Sequence, residues 1–255
     1  MTDLFGGAAS YYARFRLDHG PEAIELLAGR FGPEARVLDL GCGPGTIAIP
    51  LAEHVREVVA VDPDAGMLAE GRERAKDVPT IRWVQGDSSG LREFAPFDHV
   101  TMGRSFHWMD RDAVLAELDE LLPPGGSVAL LAHPPDEPEP AWNAAAARVC
   151  DRFGLAWPHM RGSFQDSGLH HPAVLARSPF SRVSTWVFPR TVRFDLAHVV
   201  GLQLSLSVST PARLGDRLPA FVAELEAELL AENPAGVWVE HPRTEVLVAE
   251  RPTEE

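Results

Sequence analysis

Val37-Leu38-Asp39-Leu40-Gly41-Cys42-Gly43-Pro44-Gly45-Thr46 drives an apolar run into a glycine-rich turn. The run from Ala35 to Leu40 is broken only by Asp39 and reads as a short buried strand. Gly41 to Gly45 forms a tight loop, and Thr46 to His54 reads as a helix. A strand that enters Gly-x-Gly-x-Gly and leaves as a helix lets a ligand approach the backbone. The first glycine makes the turn, and the others leave no Cβ in the ligand's way.

Outward from this loop the same alternation repeats. Pro21 to Phe31 is a helix closed by Gly32-Pro33. Downstream, Val58 to Val61 is a β-branched strand ending in Asp62, and Asp64 to Ala75 is a helix. Ile81 to Val84 and Val100 to Met102 are further strands. Asp110 caps a helix that runs to Leu122 and stops at Pro123-Pro124-Gly125-Gly126, before a fifth strand, Ser127 to Ala132. Strands that alternate with helices predict βαβ units and a parallel sheet. After residue 132 the pattern changes. His133 to Pro140 is proline-rich, Ala141 to Phe153 is a helix candidate, and Gly154 to Pro179 has no clear period. Val183 to Phe194 and Val237 to Val248 read as strands, and Leu218 to Ala231 as an amphipathic helix.

Composition narrows the function. With 23 basic and 37 acidic residues the formal net charge is −14. Lys76 is the one lysine, and no basic run appears, which argues against a nucleic-acid partner. Cys42 and Cys150 lie far apart, the usage of a reduced compartment. No apolar run approaches the ~20 residues of a membrane helix. Met1 to Ser10 does not read as a secretory signal, so the expected location is the cytoplasm, with no membrane partner.

Three acids sit at successive strand ends: Asp39, Asp62 and Asp87. A dinucleotide loop prefers Gly-x-Gly-x-x-Gly, but the last position here is Thr46, and Asp39 is awkward beside a pyrophosphate. An acid suits a cofactor that carries an ammonium and a sulfonium, which is S-adenosyl-L-methionine. Asp62 is placed to accept from ribose hydroxyls, and Asp87 to meet an adenine amino group.

Taken with Val59-Ala60-Val61-Asp62, Gly86-Asp87-Ser88, Ser105-Phe106-His107-Trp108 and Leu122-Pro123-Pro124-Gly125-Gly126, the glycine stretch resembles the class I S-adenosylmethionine-dependent methyltransferases. It is similar in particular to the trans-aconitate methyltransferase-like and type 11 groups. Tyr12-Ala13-Arg14-Phe15-Arg16 resembles a family element upstream of the first helix. The resemblance is strong over residues 11–132. It implies an α/β, Rossmann-like, doubly wound and mostly parallel seven-stranded sheet, with an antiparallel final strand pair and an inserted lid region. One domain over 1–255 is expected: cap helices in 1–32, the cofactor core in 33–132, a substrate-covering lid in 133–180, and C-terminal strands and a helix in 181–255.

The resemblance also implies roles. Gly41, Cys42, Gly43 and Gly45 would pass the cofactor, with Asp39 on its ammonium, directly or through water. Asp62 would take the ribose, with Pro63 and Met67 bordering the adenosine. Asp87 and Ser88 would meet the adenine. Gly103, Arg104 and Ser105 would line the sulfonium side, and Tyr12 and Arg16 would close on the carboxylate. Arg104 departs from relatives that often carry a neutral residue, and beside a cationic donor it points away or binds an anionic substrate.

Methyl transfer is a displacement at the sulfonium carbon, so the protein supplies orientation and a dry site. A protonated nucleophile also needs a base, for which His133 and His107 are the catalytic candidates. Arg104, His107, Trp108, His133 and Trp142 are the candidate acceptor residues, with His107-Trp108 alternatively a structural anchor of its loop, and Trp142 with Phe153, Trp157 and Phe164 either an aromatic roof or a packing cluster. His170, His171 and His159 have poor metal spacing and read as solvent-exposed lid histidines. The expected reaction is methylation of a small-molecule acceptor, and the idiosyncratic lid suits specialised metabolism. A non-methylating catalyst on the same fold and a non-catalytic cofactor-binding module are the alternatives.

Overall fold

The computed structural model describes residues 6–156 and 168–252. The described chain forms two compact units, a division finer than the single domain expected from sequence. The larger comprises Asp18–Pro135, His159–Phe188 and Arg243–Glu255, and the smaller comprises Met1–Leu17, Asp136–Pro158 and Pro189–Pro242.

The larger unit is built on β1 (Arg36–Leu40), β2 (Glu57–Asp62), β3 (Ile81–Gln85), β4 (His99–Gly103) and β5 (Ser127–Ala132). These pair in parallel, β3-β2-β1-β4-β5, and β6 (Arg182–Pro189) and β9 (Arg243–Glu250) extend the sheet to seven strands in the order β3-β2-β1-β4-β5-β9-β6. β9 runs antiparallel to β5, with Ala132 opposite Glu245. Alternate residues of each strand enter opposite cores, because side chains on a strand have a period of two. Val37, Val58, Ala60, Ala129 and Leu131 pack with the helices Pro21–Phe31 and Ala65–Arg74. Leu38, Val59, Val61, Val100 and Leu130 pack with Arg111–Leu121 and His171–Ala176 on the other face. The sheet is thus doubly wound, and its strand order reverses between β1 and β4. Ligands of open α/β sheets sit at such a reversal, outside the carboxyl ends of the strands.

The smaller unit packs the helices Ala9–Phe15, Asn143–Arg152, Leu196–Leu204 and Leu218–Glu232 with an antiparallel pair, β7 (Val192–Asp195) and β8 (Val237–Glu240). Each long strand read from the sequence is in fact two. Val183 to Phe194 breaks after Pro189, and Val237 to Val248 breaks at His241-Pro242, with the halves in different sheets. Proline cannot donate to a ladder, which explains why a continuous apolar pattern does not continue as one strand. The helix expected over 46–54 is regular only over Ala48–Leu51.

Candidate functional site

The glycine loop follows β1 and is held from the β2 side. The N–H groups of Gly41 and Cys42 both donate to the Val61 carbonyl, at 2.8 and 2.9 Å. Gly41, Gly43 and Gly45 all have positive φ, at 71°, 54° and 84°, a region that non-glycine residues reach only at a cost. Two of them also make room for neighbouring side chains. A Cβ on Gly41 would lie 2.5 Å from Ser105 Cβ, and one on Gly45 would lie 2.6 Å from the Trp83 ring.

Asp39 lies beneath the loop, 1% exposed. Its carboxylate accepts from the Thr101 hydroxyl at 2.9 Å and from the Ala48 N–H at 3.1 Å. It thereby ties β1 to β4 and caps the helix Ala48–Leu51. Burial pushes its pKa up to about 7, against the pull of those two donors and with a further push from Asp62. Asp62 ends β2 at 8% exposure, accepting from Gly43 N–H at 2.8 Å and Asp64 N–H at 2.9 Å. Burial raises its pKa too. Each carboxylate oxygen of Asp62 keeps a second lone pair, which suits a ligand bearing paired hydroxyl donors. Pro63 is exposed, and Met67 is buried in the helix that Asp64 caps through the N–H groups of Gly66 and Met67. Asp87 is half-buried and accepts from the Ser89 N–H and hydroxyl, with half-buried Ser88 between them. This rim presents acceptor carboxylates at the ends of β2 and β3. Such acceptors suit a cofactor that bears hydroxyl and amine donors. Cys42 is buried, with its thiol pKa raised by burial and by Asp39 and Asp62, surroundings that disfavour the thiolate.

At the end of β4 stand the three residues expected on the sulfonium side, Gly103, Arg104 and Ser105. The Ser105 hydroxyl donates to the Leu40 carbonyl at 2.7 Å and locks the loop over Gly41. Gly103 lies against buried His19, whose Nε2 a Cβ there would meet at 2.7 Å. His19, which sequence reasoning missed, carries no motif signal. Arg104 adopts φ 53°, the one left-handed non-glycine residue among those described, while its N–H donates to the Leu131 carbonyl at 2.8 Å.

Beside Arg104 is a cavity of about 290 Å³. Arg104, His107 and His133 line it together, as the sequence expected, and so do His170, His171 and Glu245. His107 rests against Trp108, ring centroids 4.8 Å apart. His171 was expected in solvent; the structure corrects this, because Arg111, itself 2% exposed, holds it with an N–N distance of 3.4 Å. Burial, with Arg111 and His170, lowers the His171 pKa to about 4. No group of three or more metal-ligating side chains is arranged to hold an ion among the described residues.

The remaining candidates lie in the smaller unit. Arg16 donates to the Ser205 hydroxyl at 2.9 Å and lies over the Tyr12 ring at 5.0 Å. Trp142, 7% exposed, is packed edge-on to Phe194 and Trp238, so it serves that unit's core rather than a roof. Phe153 likewise packs on Phe221. Trp157, His159 and Phe164 lie outside the described residues.

Residues 37–126 match a methyltransferase domain family. Malonyl-[acyl-carrier protein] O-methyltransferase of Enterobacter lignolyticus is 38% identical over 182 residues, 64% of this chain and 69% of that one. Trans-aconitate 2-methyltransferase of Azoarcus sp. is 34% identical over 123 residues, 47% of each chain. An uncharacterised methyltransferase of Mycobacterium tuberculosis is 34% identical over 144 residues, and the match spans 55% of its length, about half. A methyltransferase structure from Geobacter sulfurreducens, in complex with S-adenosyl-L-homocysteine, shares the fold at TM-score 0.55 and 19% identity, covering 99% of each chain. Matched in sequence over the glycine loop and the first four strands, and in fold over nearly its whole length, the chain belongs to the class I S-adenosylmethionine-dependent methyltransferases, whose cofactor is S-adenosyl-L-methionine.

Proposed function

We propose that the protein methylates a small-molecule acceptor that presents an anionic oxygen, most simply a carboxylate, in the cavity beside β4 and β5. The observation that carries this reading is Arg104 on the wall of that cavity, in a backbone conformation its side-chain class rarely takes, together with His107 and His133. Strained residues of this kind concentrate at functional sites. Two similar chains are named for acceptors that are carboxylic acids, malonyl-[acyl-carrier protein] and trans-aconitate.

When bound, S-adenosylmethionine supplies an electrophilic methyl group on a sulfonium. Asp62 would accept from the ribose, the glycine loop would hold the methionine part, and Asp87 would meet the adenine. Arg104 holds the acceptor's oxygen and neutralises its charge. An ionised carboxylate needs no base; a hydroxyl acceptor would give its proton to His133, which is exposed on the same wall. The cytoplasm is the proposed location, since Cys42 and Cys150 are both thiols.

A metabolite panel of carboxylic acids, phenols and amines, screened by S-adenosylhomocysteine release, tests the reading. A carboxylate should turn over, and Arg104→Ala should raise its KM without changing S-adenosylhomocysteine affinity. His133→Ala should cost little with that acceptor, whereas loss of a required base costs roughly 10²–10⁴-fold in rate. Glu245 on the same wall favours a second reading, an amine acceptor. Turnover of amines alone, insensitive to Arg104→Ala, would establish that reading instead.

A further inference from the structure

The acceptor cavity holds a residue whose chemistry the sequence did not reveal. His171 begins the helix His171–Ala176 and lines the cavity with Arg104, His107 and His133. Its ring is hemmed in on three sides. Phe106 stands against it at 5.3 Å between centroids, and His107 lies nearly parallel at 6.4 Å. On one edge, Nδ1 is 3.4 Å from an Nη of Arg111. Arg111 is in turn anchored by the Leu169 carbonyl at 2.7 Å.

A guanidinium only donates hydrogen bonds. The Nδ1 it faces must therefore be the acceptor nitrogen, and the ring hydrogen must sit on Nε2. We infer that His171 is a fixed hydrogen-bond donor of the acceptor site: Arg111 sets its tautomer, and its Nε2–H donates to an oxygen of the methyl acceptor, alongside Arg104. Arg111 acts through His171 and is a positioning residue. This rests on the acceptor-cavity reading above and adds to it. The pocket would then offer an oxyanion both a guanidinium and a neutral N–H, which suits the two oxygens of a carboxylate better than a single ammonium. The low pKa is consistent with the geometry. Burial beside Arg111 and His170 keeps the ring uncharged at neutral pH, so its N–H is present without a second positive charge near a cationic methyl donor.

Two measurements test this. Nitrogen-15 spectra of the imidazoles in the protein at pH 7 should give His171 the pattern of the neutral Nε2–H tautomer. An Nδ1–H or imidazolium pattern would overturn the proposal without any acceptor in hand. In kinetics with the carboxylate found in the panel, His171→Phe keeps the ring volume and removes the donor. It should raise acceptor KM about tenfold, the loss of a hydrogen bond to a charged group. His171→Gln, which returns an N–H near the Nε2 position, should recover most of that loss. Arg111→Met should raise the same KM and shift the His171 spectrum away from the Nε2–H pattern. If Arg104→Ala raises the KM and His171→Phe does not, the inference fails and the cavity stands. If neither changes it, the cavity reading fails with it.

Discussion

Asp62 and Asp39 look alike in sequence, each an acid within or ending a buried strand, yet their surroundings give them different work. Asp62 keeps lone pairs at the rim, and charged hydrogen bonds there are worth roughly 1.5–3 kcal/mol each. Asp62→Ala is therefore expected to weaken S-adenosylhomocysteine binding on the order of tenfold or more, read by calorimetry on a variant that keeps its native circular dichroism. Unchanged affinity would show that the cofactor lies elsewhere. Asp39 is instead sealed between Thr101 and the Ala48 N–H. Its folded pKa, about 7, lies above the unfolded value of 3.8. Between those values the folded state holds a proton that the unfolded state has released, so stability falls as pH rises through that window. Asp39→Asn has the same shape, and the Thr101 hydroxyl can turn to accept from its amide. The variant should lose less Tm than the natural protein between pH 5 and pH 8; parallel curves would refute the assignment. The acids themselves were legible because each sits beside a short motif. His171 was not, since its place in the cavity depends on Arg111, 60 residues earlier in the chain. Trp142 was left between a roof and a packing cluster for a related reason, because aromatic content does not say which core an aromatic fills.

The loop between β1 and the helix Ala48–Leu51 is where local pattern and tertiary packing meet. Its glycines were legible as a ligand loop, but the reason for two of them was not. Gly41 must take positive φ and must also leave space for Ser105, which reaches in from the end of β4 to the Leu40 carbonyl. Gly41→Ala would meet both obstacles. A left-handed conformation costs a non-glycine residue roughly 1–2 kcal/mol. The 2.5 Å approach to Ser105 Cβ cannot be relieved by a flexible side-chain end, so the loop must move. We expect a Tm lower by several degrees and weaker S-adenosylhomocysteine binding in the same variant. Gly41→Ala with both values unchanged would show that the loop is not held as described. The β-strands tell the opposite story. The first five were readable to within a residue or two because their apolar runs are short and flanked by turns. The late strands were read too long, since a hydrophobic pattern that crosses Pro189 or Pro242 carries no record of which sheet each half joins.

At the scale of the whole molecule, charge is the property that acts furthest. A formal charge of −14 sets up a negative field that attracts cations and repels polyanions. S-adenosylmethionine carries a sulfonium, an ammonium and a carboxylate, and is a net cation; S-adenosylhomocysteine, without the sulfonium, is net neutral. The two ligands share nearly every contact, so their comparison isolates the field. Local hydrogen bonds at Asp62 and the glycine loop are common to both and cancel in the ratio of their affinities. What survives is the long-range attraction felt by the extra charge, and salt screens it. The Debye length falls from about 30 Å at 0.01 M ionic strength to about 3 Å at 1 M. Raising salt across that range should weaken S-adenosylmethionine binding while S-adenosylhomocysteine binding changes little, measured by calorimetry at pH 8 where the acids are ionised. Equal salt dependence for both would mean that the acidic surface is too far from the sulfonium to matter. The same field predicts that duplex DNA is not retarded by the protein even at low salt, since no lysine-rich face opposes the repulsion of phosphates.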